Sequence, residues 1–486
     1  MEKDLNIFGT TVTVSFLQRK LRTVFNTKCT FGPRFAMQRI GCKQGFLSVT
    51  VRLWFDWQGA DCGRLPTSLV LKIPSTEILA KNIRYTTVEE LQEQHDRLEV
   101  ILKVGHASET AFYQLARRDA RLMGVLVPTC YYAQHFRRSG SQSGLLLFDD
   151  LCDVAAVKPL YNGLSPRALR ALSILVVVLL GNLNVDLLSY TGNCDNDDSE
   201  EGHDEDANKT SCISASSWVF EQLANLHAYS LTNWTWHIGA DKILRSTFLE
   251  VQSAFPWITR RRIYRTIASL QQDFSNFFLV DNGRASLLDE LAAVVEDQLA
   301  YHNGRLVHKE LGMVSVLTHG DLWTNNILWR KVPDYDGETF DEIVAIIDWQ
   351  NSHAGNVAED FVRLLGSSVD PEVRRGELDH LIEYYHGCLL AKLRERNVHE
   401  IPYTVDQIKH AYERLFGQGL LIMLPSLSGH ADEGNGMLGD EHVQERKRCI
   451  LHRCRCLIED FLMYRRKLLD EQNRAVYHSA NALLQL

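Results

Sequence analysis

The sequence lacks the cysteine pattern of a disulfide-stabilised protein. Its eleven cysteines, an odd number, are irregularly spaced and include no C-x-x-C pair, which gives no support to a disulfide framework or a thiol redox motif. The first residues also lack a basic segment followed by an apolar one, so we expect no signal peptide. Together these features predict a reducing, cytoplasmic location.

Long apolar runs are missing as well. The most apolar stretch, residues 171–180 (ALSILVVVLL), has ten residues, nine of them apolar, before polar ones return. A helix that crosses a bilayer needs about twenty. We therefore predict a buried helix or a docking segment here and no stable membrane span.

Basic stripes with interleaved aromatic residues are absent too, so nucleic acid is not an expected ligand. The formal net charge of -9 comes almost entirely from residues 193–206, which contain eight acids and no base. Such a tract buries too little apolar area to offset the entropy of ordering. The sequence therefore predicts a disordered acidic segment near residues 192–211.

The most informative run is residues 317–329 (LTHGDLWTNNILW). Asp321 is followed five positions later by Asn326, the spacing of a phosphoryl-transfer catalytic loop. We predict that Asp321 accepts the proton of an attacking hydroxyl and that the Asn326 amide oxygen binds Mg²⁺. His319 is expected to be a buried support for this loop, and Asp360 a structural anchor for the helix that follows it. The alternative is an Asp/Asn-rich turn without chemistry.

A second acid follows about twenty residues later. Residues 343–348 (IVAIID) form a β-branched, apolar segment typical of a strand, with Asp348 at its C-terminal end. This is where a second Mg²⁺ ligand is expected in a kinase. The alternative is that Asp348 only caps the next turn.

Candidate nucleotide contacts precede these motifs. Lys72 lies in a strand-like segment and Glu109 at an expected helix start, so the two are predicted to pair and orient the phosphates. The alternative is an ordinary surface lysine and glutamate. The turn that contains Gly45 and Ser48 is predicted to cover the phosphates, although it lacks full G-x-G-x-x-G spacing and could be a plain turn.

The overall pattern predicts a mixed α+β protein with two lobes. A small antiparallel β-sheet lobe with a helix is expected over residues 1–150, and a large, mostly helical lobe over residues 151–486. In the first lobe we expect strands at 46–55, 68–73, 125–132 and 145–148, and a helical region at 88–118 that breaks at Gly105. Later helices are expected at 222–228, 287–302, 378–396, 403–424 and 446–469, with a loop at 426–439. Residues 145–151 would form a hinge, with Asp149 and Leu151 beside the adenine.

These motifs resemble the CHK kinase-like family, which includes the ecdysteroid-kinase-like proteins and is related to choline kinases and aminoglycoside phosphotransferases. The resemblance runs over about residues 30–425 and is closest at 319–326 (HGDLWTNN) and 347–350 (IDWQ). It implies a protein-kinase-like fold that transfers a nucleotide phosphate to a small-molecule hydroxyl. The resemblance also implies the same roles for Asp321, Asn326, Asp348, Lys72 and Glu109. Two departures from this family are apparent: the pair Asp149-Asp150 stands where Glu-Asp is more usual, and residues 173–216, which contain the acidic segment, look like an insertion.

The sequence therefore predicts an ATP- and Mg²⁺-dependent kinase for an ecdysteroid- or sterol-like, choline-like or xenobiotic alcohol, with no protein partner expected. No A-P-E element follows Asp348, which argues against a protein substrate. The acceptor would be selected by helices after about residue 371. A choline-like acceptor would need an aromatic or anionic cage, for which Trp323 and Trp349 are candidates. The competing hypothesis is a catalytically inactive binding or scaffold protein that keeps the fold.

Overall fold

The structure is a computed structural model that describes residues 5–41, 48–75, 88–136, 144–169, 218–233, 236, 256–300, 307–333, 338–435, 437–439 and 441–484. Gly45, the apolar run 171–180 and the acidic tract 192–211 lie outside the described residues. In the part of the chain that is described, no helix combines the length and the apolarity needed to cross a bilayer.

A five-stranded antiparallel sheet dominates the N-terminal part. The elements, in chain order, are α1 (Val14–Val24), β1 (Thr30–Phe31), β2 (Ala36–Ile40), β3 (Ser48–Trp54), β4 (Trp57–Gln58), β5 (Ser68–Pro74), α2 (Val88–Met123), β6 (Cys130–Gln134) and β7 (Leu145–Phe148). The sheet has the strand order β2-β3-β5-β7-β6. Alternate residues of β5 are buried, so Leu71 and Ile73 enter a core with α1 while Lys72 faces the opposite side.

Helix α2 differs from the prediction. It runs from Val88 to Met123 without a break at Gly105, and the only non-helical backbone inside it is at Asp119. A glycine in a helix costs about 1 kcal/mol relative to alanine, but Gly105 is buried, where packing offsets that cost. Glu109 consequently lies well inside the helix and not at its start.

The C-terminal part is mainly helical. Its elements are β8 (Ala155–Ala156), α3 (Pro166–Leu169), α4 (Val219–Thr232), α5 (Pro256–Phe274), β9 (Leu279–Val280), β10 (Ala285–Ser286), α6 (Leu287–Ala300), α7 (Val307–Glu310), β11 (Val316–Thr318), β12 (Ile327–Lys331), β13 (Thr339–Ile346), β14 (His353–Gly355), α8 (Val357–Ser368), α9 (Pro371–Arg394), α10 (Val405–Ala431) and α11 (Val443–Leu484). Helix α10 continues through Pro425 to Ala431, so the loop predicted over 426–439 is helical in its first part.

Two small ladders in this part carry the candidate site. Strands β12 and β13 form a hairpin, which β8 extends on the β12 side, and β11 pairs with β14. The loop after β11 and the turn after β13 therefore emerge side by side, facing β5 and α2. An α+β fold with an antiparallel N-terminal sheet, one long helix and a helical C-terminal part confirms the predicted protein-kinase-like class. The lobe boundary at residue 150 stays a prediction.

Candidate active site

Lys72 connects the N-terminal sheet to the C-terminal part. Its Nζ donates to Glu109 Oε1 at 2.7 Å and to Asp348 Oδ1 at 2.6 Å. Glu109 reaches it from α2, which packs against the turn after β13. Three of the residues predicted to share a site are thus in direct contact, although Asp348 lies 276 positions from Lys72 in sequence.

One ammonium shared by two carboxylates shapes the electrostatics. Burial alone would lower the pKa of Lys72, but attraction to Asp348 and Glu109 outweighs it and raises that pKa. Burial raises the pKa of Glu109, while Lys72 opposes this effect and Asp348 adds to it. Because Asp348 also competes for the ammonium, Glu109 receives only part of the stabilisation of a simple ion pair. The cluster therefore has an excess of negative charge when all three groups are ionised.

The loop after β11 is held by a buried carboxylate. Asp360, in the first turn of α8, accepts from the backbone N–H of His319 at 2.9 Å and of Gly320 at 2.8 Å. Burial raises the pKa of Asp360, and these two N–H donors counteract it by favouring the charged form. Asp360 is structural, as predicted, but it lies within α8 and anchors the preceding loop rather than the helix itself.

His319 is a buried support, which confirms that prediction. Its Nε2 contacts the Ile347 carbonyl at 2.9 Å, while its Nδ1 accepts from the Asp321 backbone N–H at 3.2 Å. These partners require the tautomer with the proton on Nε2. The imidazole also packs 4.5 Å from the Trp349 ring. His319 therefore joins the loop of Asp321 to the turn of Asp348.

Asn326 is fixed by a second set of bonds. Its side-chain Nδ2 donates to the backbone carbonyl of Asp321 at 2.9 Å, and its backbone carbonyl accepts from the backbone N–H of Ile347 at 2.9 Å. The amide is thereby oriented so that Oδ1 accepts no bond from any residue described, although Asn326 is largely buried. Such an oxygen is available to a cation or a ligand.

Asp348 presents the complementary carboxylate. Its backbone is left-handed, with φ 67°, which turns the chain sharply after β13. Oδ1 accepts from Lys72, and Oδ2 has only a long contact with Gln350 Nε2, at 3.4 Å. Hard oxygen donors of this type suit Mg²⁺. Asn326 and Asp348 line the same cleft and fit the two metal-ligand roles predicted for them.

The cleft has a volume of about 270 Å³. Ser48, Asp149 and Leu151, which are predicted nucleotide contacts, all line it, whereas Gly45 is not among the described residues. Most of its walls are apolar, with Lys72, Asn326 and Asp348 at one end. The apolar lining consists of Ile40, Val70, Pro128, Phe148, Leu151, Ala155, Val157, Leu328 and Ile347. Burial raises the pKa of Asp149, and its Oδ1 is buried without a hydrogen-bond partner.

Comparison with known proteins assigns the chain to a family. Residues 2–176 and 241–467 match the model of DUF1679, whose description is "Uncharacterized oxidoreductase dhs-27".

The chain belongs to the DUF1679 family.

Two Caenorhabditis elegans proteins are similar to this DUF1679 chain. "Uncharacterized oxidoreductase dhs-27" is 24% identical over 391 residues, which cover 78% of this chain and 38% of that protein. "Uncharacterized kinase-like protein D1044.1" is 28% identical over 120 residues, which cover 25% of this chain and 29% of that protein. The chain therefore spans well under half the length of the curated relatives it matches.

Solved structures of small-molecule kinases align with the DUF1679 chain over most of its length. A spectinomycin phosphotransferase in complex with ADP and spectinomycin covers 93% of this chain and 99% of its own, with 12% identity and a TM-score of 0.39. A choline kinase from Cryptosporidium parvum covers 90% and 91%, with 12% identity and a TM-score of 0.40. Because both scores are below 0.5, the fold assignment rests on the topology described above.

Arg363 is a part of this site that the sequence did not reveal. From α8 of the DUF1679 chain, its Nε donates to Asp321 Oδ1 at 2.8 Å, and its guanidinium lies 4.7 Å from the centre of the Trp323 ring. Its side chain is 7% exposed, and Nη1 is buried without a hydrogen-bond partner. The sequence feature that could have indicated this role is the spacing of Arg363, three positions after Asp360, which puts both residues on one helix face.

The aromatic cage considered for a choline-like acceptor is not formed by the two predicted tryptophans. Trp349 is fully buried and stacks on Phe112, with ring centres 3.7 Å apart. Trp323 is also buried, and Arg363 already covers its face. Neither ring offers a free face to an ammonium group, so this interpretation is wrong for Trp323 and Trp349.

Proposed function

We propose that this chain is an ATP- and Mg²⁺-dependent phosphotransferase that acts on a hydroxyl group of a small molecule. The observation that carries the proposal is the contact of Lys72 with both Glu109 and Asp348, at the polar end of a cleft that Asn326 also lines. In kinases such a lysine orients phosphates, while an Asp and an Asn hold the metal. The bound Mg²⁺ would neutralise charge that develops on the phosphates.

Asp321 is proposed as the base. Its Oδ1 is held by Arg363, whereas Oδ2 accepts no bond from any described residue and can therefore receive the proton of an acceptor hydroxyl. The backbone around it is rigid because Asp360, His319 and Asn326 hold neighbouring atoms. Positioning of this kind is the main contribution a protein makes to phosphoryl transfer.

The nucleotide base is proposed to occupy the apolar part of the cleft. Leu151 and Asp149 would then lie beside it, and Ser48 near the phosphates. The acceptor could be a sterol-like or xenobiotic alcohol. The cytoplasmic location expected from the sequence stays a prediction. The name oxidoreductase belongs to a relative of which more than half lies outside the match. It therefore does not argue for oxidoreductase chemistry at this site.

The proposal is tested by binding and then by turnover. Mg·ATP should raise the melting temperature of the purified protein, and labelled phosphate should pass from ATP to members of an alcohol panel. Asp321→Asn should reduce transfer by about 10² to 10⁴, the range for loss of a general base, with nucleotide stabilisation retained. Asp348→Asn should instead raise the Mg²⁺ concentration needed for nucleotide binding.

Asp379→Asn is a matched control, because this carboxylate is 69% exposed on α9 and its one ion-pair partner among the described residues is Lys409. It should leave binding and transfer unchanged. Nucleotide binding without transfer to any alcohol would favour the inactive binding protein. If Mg·ATP gave no stabilisation at all, the proposed function would be wrong.

A further inference from the structure

A second, larger cavity adjoins the loop of the proposed base. His430, between the cavity-lining residues Gly429 and Ala431, has its ring centre 5.6 Å from that of Trp323, two positions after Asp321. It measures about 980 Å³ and is bounded by α5, the C-terminal end of α10 and the start of α11. The apolar face of α5, with Ile263, Ile267 and Leu270, is buried in the core. The opposite face of this helix lines the cavity and carries a group of three arginines, Arg261, Arg262 and Arg265. The cavity is thus built on a regular, packed helix.

The charges that line this cavity do not cancel. Lys447 contributes a fourth cation, but Glu433 pairs with it at 2.7 Å. Asp432 accepts from the Gly434 N–H, and Asp273 from the Ser269 hydroxyl. Among the described residues, no acid lies within ion-pair distance of Arg262 or Arg265. With four cations and three acids, the lining therefore carries one net positive charge, and Arg262 and Arg265 supply it without a described ion-pair partner.

Arg262 links this cavity to the proposed base. Desolvation lowers the pKa of Arg262, repulsion from Arg363 adds to this effect, and attraction to Asp321 opposes it. Its side chain is nevertheless exposed. Arg262 lines the cavity. Arg262 thus lies within electrostatic reach of both Asp321 and Arg363.

Arg363 adds an independent indication. Its Nη1 is buried without a hydrogen-bond partner, and the guanidinium as a whole is more than nine-tenths buried. A buried guanidinium N–H without an acceptor is costly. A ligand oxygen beside Asp321 would satisfy it. Arg363 therefore contacts the proposed base from α8, while Arg262 of α5 lies within its electrostatic reach.

We propose that the cavity between α5 and α10 binds the acceptor, and that the acceptor is an alcohol carrying an anionic group, such as a carboxylate, sulfate or phosphate. Arg262 and Arg265 bind that group while the hydroxyl reaches Asp321. This inference rests on the proposed function and specifies its substrate class. A planar guanidinium is well suited to such anions because it can donate two parallel hydrogen bonds.

The same charges select against cations. A quaternary ammonium in this cavity would meet Arg262 and Arg265 with no described acid paired to either, and the nearby faces of Trp323 and Trp349 are already covered. Choline-like acceptors should therefore bind more weakly than neutral alcohols, and neutral alcohols more weakly than anionic ones. The proposal therefore predicts this order of acceptor affinity: anionic, then neutral, then cationic alcohols.

The first experiment uses inorganic sulfate as the probe. With the nucleotide cleft saturated by Mg·ADP, sulfate should raise the melting temperature in a saturable way relative to chloride at equal ionic strength. Arg262→Gln/Arg265→Gln should weaken this sulfate binding about tenfold or more, since it removes charge-assisted hydrogen bonds. Arg260→Gln is the matched control, because Arg260 is on the same helix but pairs with Glu296 away from the cavity.

The second experiment compares acceptors with the same skeleton. Estradiol and its 3-sulfate share the 17-hydroxyl, and choline provides the cationic case. The 3-sulfate should bind most tightly to the wild type with Mg·ADP, and the double variant should lose that preference. Stabilisation by Mg·ADP reports that each variant is folded.

The two hypotheses fail in different ways. Absence of any Mg·ADP stabilisation in the wild type would contradict the proposed function, whatever sulfate does. Normal nucleotide binding, combined with a sulfate effect that is absent or is unchanged in Arg262→Gln/Arg265→Gln, would contradict the anionic acceptor alone. Equal binding of estradiol and its sulfate would contradict it as well.

Discussion

Removing Lys72 should cost far more stability than removing Glu109, although the two side chains form one ion pair. The lysine serves two carboxylates, at 2.7 and 2.6 Å. Lys72→Met leaves Glu109 and Asp348 facing each other without a cation. Breaking a buried pair in this way costs about 3 to 5 kcal/mol. Because Asp348 is 27% exposed, we expect the lower end, about 3 kcal/mol.

Glu109→Gln has the opposite effect on the charge of the cluster. It leaves Lys72 paired with Asp348 alone, which is a balanced pair, so the free energy of unfolding should change by less than about 1 kcal/mol. The double variant Lys72→Met/Glu109→Gln should regain part of the stability lost in Lys72→Met. Nucleotide binding should be weakened in all three variants, since each one disturbs the phosphate-orienting lysine.

The measurement is urea unfolding followed by circular dichroism, in EDTA and without nucleotide, at pH 7.5 and pH 5. Burial raises the pKa of Glu109 above its ordinary value of 4.5, and loss of Lys72 should raise it further. A carboxyl whose pKa is raised in the folded state stabilises the protein at low pH and loses that effect as pH rises. The deficit of Lys72→Met should therefore shrink at pH 5. Equal costs for Lys72→Met and Glu109→Gln at pH 7.5 would refute the shared-lysine argument.

Three further predictions concern the catalytic loop, the carboxylate that holds it and a buried histidine of α4. Gly320→Ala should destabilise the protein by about 2 to 4 kcal/mol, because φ is +77° and the new Cβ would meet the Asn351 carbonyl oxygen. The control is Gly312→Ala, where φ is +63° but no atom lies near the new Cβ. This control should cost only about 1 to 2 kcal/mol in the same urea assay. Asp360→Asn should lose one of two buried backbone bonds, cost about 2 kcal/mol and lower transfer tenfold or more, and unchanged turnover would contradict its positioning role. Burial lowers the pKa of His227, in α4, to about 3, so the unfolded state takes up a proton first as pH falls. This histidine should therefore lower the free energy of unfolding by about 2 kcal/mol between pH 7.5 and 5. The free energy of unfolding of His227→Gln should depend less on pH than that of the wild type. An identical slope in both proteins would contradict a lowered pKa for His227.

Local patterns were enough to predict the strands and the loop that carry the site. Residues 145–148 form the strand β7 as predicted, because four apolar residues followed by two aspartates leave little choice of boundary. Asp321 and Asn326 are neighbours because their spacing alone places both in one turn. The approach of Lys72 and Asp348 required the resemblance to a known fold, since no local pattern joins residues so far apart.

The remaining features depend on tertiary packing. Helix α2 passes through Gly105 because the glycine is buried, which a single-residue propensity does not register. Arg363 bonds to a residue 42 positions earlier, and helix α5 was not predicted at all. The arginine-lined cavity was therefore invisible in the sequence, because α5 and α10 create it only by packing together.

The backbone carbonyl of Ile347 accepts from His319, and its backbone N–H donates to Asn326. This single residue therefore holds the loop after β11 and the turn after β13 together as one rigid unit. Any hinge movement that admits or releases a nucleotide must therefore leave the spacing of Asp321, Asn326 and Asp348 intact. What such a movement can change is the contact of Lys72 and of α2 with the turn after β13. Each cycle would then reset these contacts instead of reassembling the whole catalytic apparatus.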